Sequence, residues 1–346
     1  MKGWGKDMVN THLTKEFRIF AKDCNGSSPL YEFLSLQISM DTEMLALSAH
    51  SQKGQPVPNL FLASVHHLLL NGKAHRLSEY YPNIVAIPKD SMQSFSHFKD
   101  FCRLYREEII TLLQTKLVQT NEVRRCAYLY PAFSYIYNQT QKPLALIEIG
   151  TSAGFQLLWD KYSYSYQSST VYGEPKSIVP ITSEIRGANK PHLPQLSPPV
   201  THRIGMDLHV NDVSNREDYL WLLSLIWPEH DERRVLFKQA ARAVQAHKVN
   251  LIEGNAVKLL PEIVDQIPGN SSICIFHTHV ANQMPVEMKH ELLANIGEIG
   301  RLRDVFHLYN NMWDGKLHLD YFLEGVEHNK VVGETDSHGK WFTWNL

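Results

Sequence analysis

The feature that most constrains this chain is an apolar run that ends in a turn of small residues. Residues 144–149 read Leu-Ala-Leu-Ile-Glu-Ile, and Gly150-Thr151-Ser152-Ala153-Gly154 follow. Because apolar residues occupy both faces of the run, it predicts a buried parallel strand. The small residues allow a sharp turn, and we expect a helix to begin near Gly154.

Strand-like and helical patterns alternate through the rest of the chain. Apolar strand-like runs occupy residues 203–208, 249–252, 273–276, 305–309 and 317–322. Helical patterns occupy residues 216–226, 232–247, 256–267 and 285–299. This alternation is typical of a doubly wound parallel sheet. The predicted fold class is therefore α/β, with a Rossmann-like parallel sheet.

The chain before residue 141 has a different pattern of apolar residues. Apolar residues recur there at spacings of three and four, and helices are predicted at residues 60–70, 95–117 and 121–137. We therefore expect a helical N-terminal region, residues 1–140, and a Rossmann-like domain, residues 141–346. Within that domain, tyrosines alternate with serines and prolines follow, which predicts an insertion with a hairpin at about residues 161–201.

The composition of the chain limits the binding partners and the cellular compartment that we expect. The net charge is −2 and the four cysteines are far apart in sequence, so we expect no nucleic-acid partner and a reducing, cytoplasmic location. Residues 1–10 lack the apolar run of a signal peptide. The apolar stretch around residues 60–70 contains Ser64, His66 and His67, so we also expect no membrane partner.

The turn after residue 149 is the first candidate site. Glu148 is an acid inside an otherwise apolar run, and burying it without a partner is costly. The small residues Gly150, Thr151, Ser152 and Gly154 would let a ligand approach the backbone, and a helix starting there would direct free N–H groups at it. The alternative is a plain tight turn between a strand and a helix.

Two polar residues follow the next predicted strands. Asp207 ends the run 203–208, where an acid can accept hydrogen bonds from ribose hydroxyls. Asn255 follows the run 249–252, and its amide could bond an adenine edge. Either residue could instead cap a helix.

Two further polar segments complete the candidate residues. Asn121, Glu122 and Arg125 lie in a dense polar run just before the sheet, where they could reach the cleft or simply cap a helix. His277 and His279 follow the fourth strand, and one of them could be a general base. In an extended chain they point to opposite faces, so no shared metal is predicted. The alternative is a buried, hydrogen-bonded histidine.

Taken in chain order, the turn, Asp207 and Asn255 resemble the motifs of the class I S-adenosylmethionine-dependent methyltransferases. The resemblance implies that the turn residues Glu148, Gly150 and Gly154 hold the methionine end of the cofactor. It also implies ribose at Asp207 and adenine at Asn255. Ser152 replaces the middle glycine of that family.

What the resemblance implies for function is methyl transfer from S-adenosylmethionine to a small-molecule substrate. His277 is then the first candidate for a base, and Asn121, Glu122 and Arg125 shape the acceptor side. The oligomeric state does not follow from these residues.

The whole chain also resembles the bacterial domain-of-unknown-function family 2332. The matching stretches are Ser28-Pro29-Leu30-Tyr31, Pro58-Asn59-Leu60, Gln119-Thr120-Asn121-Glu122-Val123, Glu148 to Gly154, Trp227-Pro228-Glu229 and Phe276-His277-Thr278. Because that family is uncharacterised, the resemblance to it implies no particular reaction.

Two rival functions remain open. Residues 150–154 also read G-x-S-x-G, the nucleophile elbow of serine hydrolases, with Ser152 as nucleophile. Its partners would be Asp207 or Asp212, and one of the histidines at 277, 279 and 307. In that fold several strands precede the nucleophile, whereas here the preceding residues are predicted helical. The third possibility is a non-catalytic nucleotide-binding protein.

Overall fold

The computed structural model describes the backbone of residues 4–346 and the side chains of residues 11–346. The prediction about a signal peptide concerns residues 1–10, whose side chains lie outside the described residues. The chain forms two compact units. The first runs to Thr120 and also contains Asn215–Val235, and the second consists of Asn121–Ser214 and Leu236–Leu346. The first unit thus combines the chain up to Thr120 with a later segment that lies within the predicted Rossmann-like half.

The helices follow the predicted pattern with shifted ends. In chain order they are α1 (Trp4–Cys24), α2 (Pro29–Ile38), α3 (Thr42–Ser48), α4 (Val57–Leu70), α5 (Ser94–Leu104), α6 (Arg106–Thr115), α7 (Cys126–Thr140), α8 (Arg216–Ser224), α9 (Asp231–Ala246), α10 (Ala256–Asp265) and α11 (Val286–Leu302). The single helix predicted at 95–117 is two helices, because Tyr105 leaves the helical conformation, at φ −110° and ψ 31°.

The first unit is helical where it is described, and its core is rich in aromatic residues. The ring of Phe61 lies edge-on to Phe17 and Phe98, with centroids 6.4 and 5.6 Å apart. Trp221 of α8 is buried in the same core, and its indole Nε1 donates to the carbonyl of Leu117 at 2.9 Å. The returning segment 215–235 is therefore part of this core.

Two stretches of the family resemblance meet in the first unit. Ser28 is the N-cap residue of α2, and its hydroxyl donates to Oε2 of Glu229. Oε1 of Glu229 accepts from the backbone N–H of Leu30 at 3.0 Å. A carboxylate at a helix N-terminus satisfies N–H groups that lack partners within the helix. Glu229 therefore joins the returning segment to α2.

The second unit contains the sheets. Its strands are β1 (Leu144–Ile149), β2 (Ser163–Ser165), β3 (Tyr172–Gly173), β4 (Pro180–Thr182), β5 (Glu184–Arg186), β6 (Val200–Asp207), β7 (Asn250–Glu253), β8 (Ser272–His277), β9 (Val305–Asn310), β10 (Lys316–Leu323), β11 (Val326–Glu334) and β12 (Trp341–Thr343). Within residues 4–346, seven of them form the central sheet, in the order β11-β10-β9-β8-β1-β6-β7. The predicted α/β class with a mostly parallel sheet is confirmed.

Strand direction divides the central sheet into two parts. The strands from β7 to β9 run parallel, and ranked along the chain their order is 3-2-1-4-5. β10 and β11 are antiparallel to their neighbours. The sequence did not predict β11, because its residues are largely polar. The turn before it places Glu324 and Gly325 at φ 52° and 77°, as in a tight two-residue hairpin turn.

Helices cover both faces of the central sheet. Apolar residues of α10 and α11 pack on one face, around Ile147, Ile275 and Val305. On the other face, Phe133 of α7 lies against Phe276 and Trp159, with ring centroids 5.2 and 4.9 Å apart. Burial on both faces explains the continuous apolar run of β1.

The region between β1 and β6 differs from one expectation and agrees with another. The helix predicted to begin near Gly154 is a short 3-10 helix, Phe155–Lys161, with Leu158 outside helical geometry. The predicted hairpin is present, since β2 pairs antiparallel with β3. β2 also pairs parallel with β4, and β5 pairs with β12. None of the described helices is both long enough and apolar enough to cross a membrane.

Two glycines of α11 predict opposite effects on stability. A Cβ at Gly300 would overlap the ring of Phe322, whereas a Cβ at Gly297 has nothing within 4 Å. We expect Gly300→Ala to lower the free energy of unfolding by about 1–3 kcal/mol. Gly297→Ala should raise it by about 0.5–1 kcal/mol, because alanine favours a helix interior. Urea unfolding of both variants checks this, and equal effects would contradict the packing of α11 on β10.

Candidate functional site

The strand order of the central sheet locates a candidate site. The order reverses between β1 and β8, since the chain proceeds from β1 to β6 and β7 on one side and to β8 and β9 on the other. In open α/β sheets, ligands bind beyond the carboxyl ends of the strands at such a switch point. Here those ends carry the small-residue turn 150–154 after β1 and Thr278 and His279 after β8.

The turn after β1 has an unusual backbone. Gly150, Ser152 and Gly154 have φ values of 74°, 52° and 76°. Positive φ is easy for glycine and uncommon for serine. A Cβ at Gly150 would lie 2.5 Å from Cγ2 of Val280. Glycine is therefore required at 150 by its conformation and by Val280, which covers the turn on the β8 side.

The N–H groups of this turn are bonded within the protein. Those of Gly150 and Thr151 donate to the carbonyl of Met206 at 2.8 and 3.2 Å. That of Ser152 donates to Oδ2 of Asp207 at 2.8 Å, and that of Gly154 to the carbonyl of Thr151 at 2.9 Å. The expectation of a helix directing free N–H groups at a ligand is therefore corrected. The 3-10 segment has only seven residues, and most of the turn's donors are used.

Glu148 is buried beneath the turn, as the sequence predicted. Its side chain is 2% exposed, and Oε2 accepts from the hydroxyl of Thr151 at 2.6 Å. Burial, with a smaller contribution from Asp207, raises the pKa of Glu148 to about 8, although the Thr151 bond and Arg125 oppose the rise. Glu148 is therefore largely protonated at neutral pH, and its bond to Thr151 fixes the turn.

Asp207 and Asn255 both lie at the carboxyl edge. Asp207 ends β6, next to β1, and is partly exposed while bound to the N–H of Ser152. Asn255 caps α10, since Oδ1 accepts from Val257 and Lys258 at 3.1 and 3.4 Å. The capping alternative therefore describes Asn255, and an adenine contact for its amide remains a prediction.

The polar segment before the sheet reaches the same edge. Nδ2 of Asn121 donates to the carbonyl of Thr151 at 2.6 Å. Nη1 of Arg125 lies 3.2 Å from Oγ1 of Thr278 and 3.3 Å from its carbonyl oxygen. Glu122 is buried, and Oε1 accepts from the N–H of Arg124. Asn121 and Arg125 therefore meet the loops after β1 and β8.

The two histidines lie in different environments. His277 ends β8 and is fully buried, with Nε2 3.2 Å from Nε2 of His307. His279 lies beyond the strand at φ 66°, and its Nδ1 is 3.2 Å from Nδ2 of Asn311. Burial lowers the pKa of each to about 3, with additional effects from Lys289 on His277 and from Arg125 and His338 on His279. General-base catalysis works best with a pKa near the working pH, so both assignments remain predictions without support from this geometry.

Ser152 has one property of a nucleophile elbow and lacks others. Its φ of 52° matches a strained turn, but its side chain is 3% exposed and Oγ accepts from Nδ2 of Asn211 at 3.3 Å. Two of the proposed triad histidines, 277 and 307, bond each other. Asp207 bonds the backbone of Ser152 itself.

Sequence reasoning missed several residues at this edge. Gln156 lies 3.0 Å from Oγ1 of Thr278, and Oδ1 of Asn310 accepts from the N–H of His279 at 2.9 Å. Asn211 binds Ser152. Thr278 and Asn310 stand at the ends of β8 and β9, and polarity directly at a strand end is the signal that could have identified them.

The chain is an α/β protein with a mostly parallel central sheet, and polar residues cluster at the carboxyl edge of that sheet, where the strand order reverses between β1 and β8. Among the described residues, no group of three or more His, Cys, Asp or Glu side chains is placed to hold a metal ion. Residues 14–344 match the family described as "Uncharacterized protein conserved in bacteria (DUF2332)". The chain belongs to this family. No curated protein and no solved structure matches it.

Glu148 should impose a pH dependence on stability. Its pKa is about 8 in the folded protein and ordinarily 4.5, so the folded chain keeps a proton that the unfolded chain has lost between these values. Stability then falls as pH rises through that window, by roughly 1 kcal/mol per pH unit. Glu148→Gln cannot ionise and should remove this slope. Urea unfolding from pH 5 to 8 measures it, with exposed Glu262→Gln as control; parallel curves for wild type and Glu148→Gln would refute the assignment.

The pair of His277 and His307 predicts a dependence of the opposite sign. Burial lowers the pKa of both, so unfolding takes up protons and stability falls as pH drops below about 6.5. Either single change to leucine leaves one buried imidazole without its partner and should cost about 1–3 kcal/mol. The double variant should lose less than the sum of the two and show a shallower acid slope. A double-mutant cycle from pH 4 to 7 tests this; additive losses would contradict the pairing.

Proposed function

We propose that the chain is a methyltransferase that binds S-adenosylmethionine at the carboxyl edge of β1 and β6. The observation that carries the proposal is the position of Asp207. It ends the strand next to β1, and its carboxylate lies 2.8 Å from the N–H of Ser152 in the turn after β1. In Rossmann sheets an acid at this position binds the ribose hydroxyls of an adenosine ligand.

The strand order and the buried acid agree with this assignment. The parallel strands follow the order 3-2-1-4-5, which is that of the Rossmann fold. Glu148 and the glycines at 150 and 154, which the resemblance to methyltransferases assigns to the cofactor, lie in and beneath the turn after β1. The residues that resemble methyltransferase motifs are thus the same residues that form the turn after β1 and the end of β6.

The residues present fit the two ends of the cofactor differently. On the β6 side, Asp207 is a partly exposed carboxylate that can accept from ribose hydroxyls. On the β8 side, Val280 covers Gly150. The partly exposed carboxylate of Asp207 is therefore open to a ribose, whereas a methionine end seated at Gly150 requires Val280 to move away from the turn.

The cofactor would supply an activated methyl group, so the protein must mainly orient the acceptor and exclude water. Asp207 would hold the ribose, and Glu148, protonated and bonded to Thr151, would keep the turn in place. Arg125 and Asn121 bond the loops after β8 and β1, and therefore flank the acceptor side. An acceptor that loses its proton easily suits this edge best, because the pKa of both candidate bases is about 3.

A serine hydrolase is the second candidate, because Ser152 has a positive φ. Against it, the described chain before β1 contains helices and no strand, whereas that fold places several strands before its nucleophile. A non-catalytic nucleotide-binding protein would share the ribose contact and differ only in turnover.

Calorimetric titration of the full chain with S-adenosylmethionine and S-adenosylhomocysteine tests the proposal. We expect saturable binding of both, weakened at least about tenfold in Asp207→Ala, because hydrogen bonds to a charged group contribute roughly 1.5–3 kcal/mol. Asp265→Ala, which removes an exposed acid at the end of α10, is the matched control.

A substituted ligand separates ribose binding from a purely structural role of Asp207. If Asp207 holds the hydroxyls, wild type should prefer S-adenosylhomocysteine to its 2′-deoxy analogue, and Asp207→Asn should lose much of that preference. Absence of saturable binding to either cofactor form would overturn the proposal. Labelling of wild type but not Ser152→Ala by a fluorophosphonate would favour the hydrolase instead.

A further inference from the structure

His279 presents a buried hydrogen-bond donor at the switch point. Its Nδ1 accepts a hydrogen bond from Nδ2 of Asn311 at 3.2 Å. Because Nδ1 is the acceptor, the neutral ring carries its proton on Nε2. That Nε2 atom is buried and has no hydrogen-bond partner within the described chain. A buried donor without a partner destabilises the folded state, so this N–H is expected to have a partner that the chain itself does not supply.

Asn121 presents a buried acceptor at the same edge. Its Nδ2 is used by the carbonyl of Thr151 at 2.6 Å, which fixes the orientation of the amide. Oδ1 is buried and accepts no hydrogen bond from any described residue. The loops after β1 and β8 thus each adjoin one unsatisfied polar atom, one an acceptor and the other a donor.

The charges around His279 favour an anion there. Burial is the main cause of the lowered pKa of His279, and the nearby charged groups Arg125 and His338 lower that pKa further. Nη1 of Arg125 lies 3.2 Å from Oγ1 of Thr278, the residue directly before His279. Arg125 thus acts on the surroundings of His279, and a carboxylate that accepts from Nε2 of His279 would be stabilised by this positive charge.

We propose that Arg125, Thr278 and His279 bind the carboxylate of the methyl-acceptor substrate, a small acid, and that Asn121 binds a hydroxyl or amino group of the same molecule. The carboxylate accepts from Nε2 of His279 beside Arg125, and the hydroxyl or amino group donates to Oδ1 of Asn121. Both protein atoms are covered, so the ligand enters when neighbouring side chains shift. The carboxylate site stands on this geometry, whereas naming its occupant as the methyl acceptor rests on the proposed function.

Matched pairs of small ligands test the two contacts separately. L-lactate is compared with lactamide, which lacks the charge, and with propionate, which lacks the hydroxyl. Binding to the full chain is followed by saturation-transfer NMR and competition. We expect wild type to prefer lactate to lactamide at least about tenfold, and to prefer lactate to propionate by a smaller factor.

Two variants then assign the preferences to residues. His279→Asn, a residue that tolerates the positive φ at 279, should lose the preference for acid over amide. Asn121→Leu should keep that preference and lose the one for lactate over propionate. His247→Asn, an exposed histidine of the same unit, is the control, and circular dichroism checks that each variant is folded.

Repeating the titrations with saturating S-adenosylhomocysteine separates this inference from the proposed function. Acid binding that persists beside the cofactor supports a substrate site. Displacement of the acid by the cofactor would mean that these residues hold the cofactor's own amino-acid end, which overturns the assignment to a substrate. Acid binding without any cofactor binding would keep the carboxylate site and refute the methyltransferase. Equal binding of acid and amide by wild type would overturn the carboxylate site itself.

Discussion

The parallel pairing of β1 with both β6 and β8 is the constraint on which the second unit depends. Because β1 is buried on both faces and bonded along both edges, its end has little freedom. The turn that follows must rise directly between the ends of its two neighbours. The bonds from Gly150 and Thr151 to Met206, and from Ser152 to Asp207, then hold it against β6. The polar edge is thus a consequence of strand order.

Several strands of the central sheet could be predicted from the sequence because they are apolar on both faces. The runs at 144–149 and 273–276 correspond to β1 and β8. β11 escaped prediction because its polar residues carry no such signal. The prediction of a helix after Gly154 was wrong, since the segment is a short 3-10 helix. A sequence pattern does not distinguish such a segment from the start of an α-helix.

The candidate site was predictable where chemistry follows a strand end directly, and less so where partners come from distant segments. Asp207 ends β6 at this edge, and Glu148 lies one residue before the end of β1, beneath the turn. The spacing of His277 and His279 predicted that they point apart, but it did not predict the left-handed backbone at 279 or the pairing of His277 with His307, thirty residues further along the chain. Asn255 shows the converse, since its local capping signature describes its main role.

The discontinuity of the first unit has a consequence for the order in which the chain can mature. Trp221, in the core of that unit, is synthesised after β1 and β6. The helices up to Thr120 therefore leave the ribosome before this buried residue of their core, about a hundred positions later in the chain, has been synthesised. A fragment that ends at Thr120 lacks this indole, so a helical fragment with the complete core has to include the later segment, either as a separate chain or through a circularly permuted gene.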